Sequence, residues 1–85
     1  ERQKHNRLVT LRRQAEASLL RHETLETELE EVQRLMSLSE NYSVEEKILP
    51  LVKEQERLKI RLAEEETSWL ALEEERIGLE EELYG

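Results

Sequence analysis

The leucines constrain this chain most: sixteen of them, joined by Ile48, Ile60 and Ile77, recur at helical spacing in 85 residues that hold only two glycines and one proline. Spacings of three and four place apolar side chains on one stripe of an α-helix. With so few turn formers and only 4% aromatic residues, a compact fold has neither the corners nor the bulk it needs. A domain of this size buries only about 60% of its unfolded surface in any case. Disorder fits no better, because a 40% charged chain without large aliphatics would stay unfolded, and this one is rich in them. The sequence therefore predicts an all-α fold of long helices paired along their stripes.

Two stripes can be traced. Leu8, Leu11, Ala15, Ser18, His22, Leu25, Leu29, Val32 and Met36 form an a/d seam over four heptads with Leu8 as position a, diluted by Ala15, Ser18 and His22. A second seam runs through Val44, Ile48, Leu51, Gln55, Leu58, Leu62, Glu65, Trp69, Leu72, Arg76, Leu79 and Leu83, with Ile48 as a. Its polar members, Gln55, Glu65 and Arg76, are candidate specificity positions, since polar seam residues fix register and partner at a cost in stability. On that ground Gln55→Leu and Glu65→Leu are both expected to raise the melting temperature and loosen oligomeric specificity.

The seams are out of phase, because extending the first would put position a at Ser43 and Pro50. The break falls at residues 37–43, rich in serine and asparagine, whose side chains compete with helical hydrogen bonds. Ser43-Val44-Glu45-Glu46 has the form of a capping box, with Ser43 as N-cap. The expected helices are about 3–37 and 44–84, with a connector at 38–43. Pro50 either kinks the second helix or begins its main part as the first helical residue.

Charge selects the arrangement. Residues 1–22 hold six basic and two acidic side chains, a net of +4, whereas residues 62–85 hold nine glutamates and Arg76, a net of −8. Folding the chain back on itself brings these segments together; a parallel in-register dimer would place each beside its own copy. The prediction is an antiparallel coiled-coil hairpin that self-associates, and the alternative is an antiparallel dimer of long continuous helices. Matching a to d positions suggests pairs whose numbers sum to 80: Met36 with Val44, Leu25 with Gln55, His22 with Leu58, Ser18 with Leu62, Leu11 with Trp69. That register sets Lys4 against Arg76 and predicts a frayed open end.

No enzyme is expected, because no nucleophile–base constellation or pocket-forming segment is visible. His22-Glu23 begins a zinc-protease pattern, but Glu26 stands where its second histidine belongs, so no metal or other cofactor is expected. The glutamate triplets at 64–66, 73–75 and 80–82 read as a solvated face, since neighbours on a helix point about 100° apart. A sparse basic stretch within a net charge of −8 argues against nucleic acid. Asn41-Tyr42-Ser43 matches a glycosylation acceptor by coincidence. No apolar run approaches the roughly 20 residues of a membrane span, so no membrane insertion is expected.

The absence of cysteine favours an intracellular, cytoplasmic setting. The chain begins at Glu1 without methionine and reads as a single coiled-coil segment, 1–85, of a larger protein.

Beyond the seams lies an apolar remainder: Leu49, Ala63, Leu70, Ile77 and Tyr84 repeat at position b, with Val52 beside them, and Leu19, Leu20 and Leu35 lie off the first seam. A two-stranded coil leaves position b in water, so this is the candidate partner stripe. The expected function is protein–protein interaction and oligomerisation, as a scaffold or assembly segment of the cytoskeletal or trafficking kind. The alternative is a helical-hairpin signalling module that binds a small GTPase or similar partner. Partners are thus other proteins and further copies of the chain.

Overall fold

Helix α1 (Arg2–Ser37) and helix α3 (Glu45–Tyr84) run antiparallel against each other, joined through the single turn of α2 (Ser39–Tyr42). The computed structural model describes residues 2–85, and among these there is no strand. The molecule is 61 Å long and 17 by 14 Å across. Forty residues at 1.5 Å rise span about 60 Å, so the length is that of α3 alone. The chain is a helical hairpin and not a continuous rod.

The turn is built by backbone geometry and by side chains that take up the orphan carbonyls of α1. Leu38 breaks the helix by adopting an extended conformation, φ −74° and ψ 130°. Asn41 then donates from Nδ2 to the Leu35 carbonyl at 2.8 Å, and the Ser37 hydroxyl donates to the Arg34 carbonyl at 2.6 Å. The capping box does not form. Ser43 ends α2, its hydroxyl donating to the Ser39 carbonyl, so Val44 is the extended N-cap of α3 and offers no side-chain acceptor. The serine cannot serve both helices, and closing α2 has taken it.

Pro50 is the sixth residue of α3, and the helix continues through it. It is therefore not the first residue of the main helix. The Glu46 carbonyl, four residues earlier, loses its intrahelical donor, and Pro50 stands on the exposed side where water can take that place.

Between the helices, Leu8, Leu11, Ala15, Ser18, Leu25 and Val32 of α1 are buried, as is Leu58 of α3. Leu25, Val32 and Leu58 form a cluster against which Leu29, Met36, Leu51 and Leu62 pack. That cluster corrects the register. Met36 lies with Leu51 and not with Val44, which is exposed, and Leu25 lies with Leu58 and Leu62 and not with Gln55. Ser18 meets Glu65 in place of Leu62, and Gln55 meets Gln33. The a-to-d pairs now sum to about 87, one heptad beyond the expected register.

Two causes act together. The first turns of α3 run past the end of α1, with α2 filling the space between them. The shifted pairing also sets Leu25 against Leu62, Leu29 against Leu58 and Met36 against Leu51, so the cluster near the turn is apolar on both helices.

Candidate interaction surface

Polar groups in the internal seam are satisfied locally. Ser18 is fully buried, and its hydroxyl donates to Glu65 Oε1 at 2.7 Å. Arg21 Nε donates to the same oxygen at 2.9 Å. The Ser18 bond, and then Arg21, hold the Glu65 carboxyl below the usual carboxylate range. Gln55 is half-buried, and its Oε1 accepts a long 3.4 Å bond from Gln33 Nε2. Arg76 is also half-buried, held between Glu73 at 2.6 Å and Glu80 at 2.9 Å, and these two carboxylates raise its pKa. The three polar seam positions thus differ: Glu65 links the helices directly, Gln55 does so weakly, and Arg76 is bonded within α3.

Charge closes the open end, as opposed segment charges require. Lys4 pairs with Glu82 at 3.3 Å, Arg7 with Glu75 at 2.8 Å through a bidentate fork, and Arg12 with Glu80 at 2.9 Å. Arg12, then Arg76, lowers the pKa of Glu80, and Arg7 lowers that of Glu75. The expected clash of Lys4 with Arg76 is absent, because the register carries Lys4 past Arg76 to Glu82. The frayed end is absent too: Leu8 and Leu11 are 1% and 0% exposed. His5 stacks edge-on against Tyr84, ring centroids 5.8 Å apart.

The remaining seam residues Leu72, Leu79 and Leu83, with Ile48, are half-buried between the helices. Trp69, expected opposite Leu11, lies instead beside Ala15, Leu19 and His22. With Leu19, His22 and Glu66 it lines an apolar groove of about 170 Å³. His22 does not face Leu58. Its Nδ1 lies 2.8 Å from a carboxylate oxygen of Glu26, one turn on along the same helix.

With the internal seam filled, the stripe on α3 is left outside. Leu49, Leu70 and Ile77 are 47–49% exposed and Tyr84 is 65% exposed, with Val52 and Ala63 also in solvent. Ile60, 58% exposed and three residues before Ala63, extends the same surface. Periodicity at position b alone overlooks it, because Ile60 occupies the neighbouring f position. Of the off-seam leucines on α1, Leu19 and Leu20 are exposed and Leu35 is half-buried. The stripe and the Trp69 groove lie on one side of the hairpin, since Ala63 and Leu70 flank Glu66 at three and four residues along the same helical face.

Among the described residues no group of three or more metal-ligating side chains converges, and no helix is long and apolar enough to cross a membrane. No protein family, curated protein or solved structure matches this chain.

Proposed function

We propose that the chain works by protein–protein contact, as an oligomerising scaffold segment whose binding surface is the outer face of α3. The observation that carries this reading is the combination of a closed internal seam with a second apolar row in water. Leu49, Val52, Leu70 and Ile77 lie outside the hairpin's own closure, which Leu51, Leu58, Leu62 and their neighbours make. A row of half-exposed large aliphatics on a stable rod has the character of an interface, and polar flanks keep it soluble until it is covered. Scaffolding in a cytoskeletal or trafficking assembly within the cell fits a rod of this plan.

Size-exclusion chromatography with light scattering tests the reading. The expected result is a mass above the 10.2 kDa of one chain at micromolar concentration. Leu70→Glu with Ile77→Glu should return it to one chain with unchanged helicity. A wild-type mass of 10.2 kDa at every concentration would contradict self-association.

A further inference from the structure

Resting on that reading, we infer that the occupant of the outer α3 face is the α3 of a second copy of this chain, docked antiparallel about a twofold axis near Thr67. The direction follows from how charge is distributed along α3 beside the stripe. Residues 47–61 carry five basic and two acidic side chains, a net of +3, whereas residues 62–85 carry a net of −8. The rows flanking the apolar positions have the same polarity: Lys53 and Lys59 on the α2 side, Glu73, Glu74, Glu80 and Glu81 toward Tyr84. A parallel copy would stack those glutamates on themselves. An antiparallel copy brings Lys53 beside the second copy's Glu81 and Lys59 beside its Glu74, and each contact occurs twice.

The apolar positions accept the same arrangement. With the axis near Thr67, Leu70 falls against the second copy's Ala63, a large side chain over a small one. Tyr84 falls toward Leu49 and Val52, the other large exposed pair. The contact line runs from Leu49 to Tyr84, about 50 Å of helix. The internal seam is left undisturbed, so the assembly is a four-helix bundle of two closed hairpins. A different protein would need to bring its own complement to this charge gradient; the chain already carries one.

Single cysteines in this cysteine-free sequence decide the geometry. Thr67→Cys, beside the axis, should crosslink to itself with a short thiol-reactive linker. Lys53→Cys should not crosslink to itself, but should do so when mixed with Glu81→Cys. In parallel, Lys53→Glu should raise the dimer dissociation constant about tenfold, and Lys53→Glu with Glu81→Lys should restore it. Self-crosslinking of Lys53→Cys, or failure of Thr67→Cys to crosslink in a chain that light scattering finds dimeric, would overturn the antiparallel face and leave oligomerisation standing. A chain monomeric by light scattering would overturn both.

Discussion

The two halves of the hairpin are held by different means. Near the turn, residues 25–36 pack on residues 51–62 through leucine, valine and methionine, and the hydrogen bond that crosses between the helices there, from Gln33 to Gln55, is long. Toward the open end, Ala15 and Ser18 thin the α1 seam, and charge takes over: Arg7, Arg12, Arg21 and Lys4 each reach a glutamate of α3. Burial of apolar surface stabilises without directing, whereas opposed charges fix which ends meet. The turn half therefore holds by apolar packing, and the open half, where Leu8 and Leu11 are also buried, adds orientation and register.

The largest effect that would sharpen this contrast is loss of Leu58, fully buried at the centre of the apolar cluster. Leu58→Ala should lower unfolding free energy by about 2–5 kcal/mol, read by urea denaturation. A cost below that of a surface substitution would mean that the turn half is not the source of cohesion.

Next is Glu65→Leu, where the structure reverses the expectation from sequence. Removing the carboxylate leaves the buried Ser18 hydroxyl without its acceptor, a loss of about 1–3 kcal/mol that leucine burial recovers only in part. The variant should therefore be less stable, and Ser18→Ala combined with Glu65→Leu should more than recover the loss, since both partners are then apolar. A more stable single variant would show Ser18 finding another acceptor.

Gln55→Leu should have a smaller and opposite effect, a gain of about 1 kcal/mol, because the bond it removes is long and the site adjoins the apolar half. No gain in its melting temperature would place position 55 in solvent.

The smallest effect per group comes from acid. Glu65, Glu75 and Glu80 have pKa values lowered by their partners in the folded chain, so they contribute stability above the unfolded carboxylate value and lose it as pH falls through their folded values. Amide exchange at pH 3 should therefore quicken in residues 4–21 before it quickens in residues 25–36. Uniform quickening would remove the distinction between the halves.

Most of the fold was legible because it depends on periodicity and charge sign, which survive local error. The seam of α1 alternates three and four so regularly that its buried residues could be named from spacing alone. The register was not legible to within a heptad. Every a-to-d pairing repeats each seven residues, and the choice rested on where the turn lies, which α2 and the overrunning first turns of α3 decide. The role of Glu65 was hidden as well: the expected register set Ser18 against Leu62, three residues short of its partner Glu65. The exposed stripe was visible as surplus leucine, except for Ile60, whose place on that surface needs the helix in three dimensions.

The central claim is that each chain closes on itself and so leaves the outer face of α3 free for contact. Energy transfer between dyes on Arg13→Cys and Glu74→Cys of the same chain, diluted with unlabelled chain, tests it most directly. In the hairpin these positions lie on neighbouring helices about 10 Å apart at their axes, and transfer should be nearly complete. In a continuous rod the same positions would be about 92 Å apart, and negligible transfer would contradict the account.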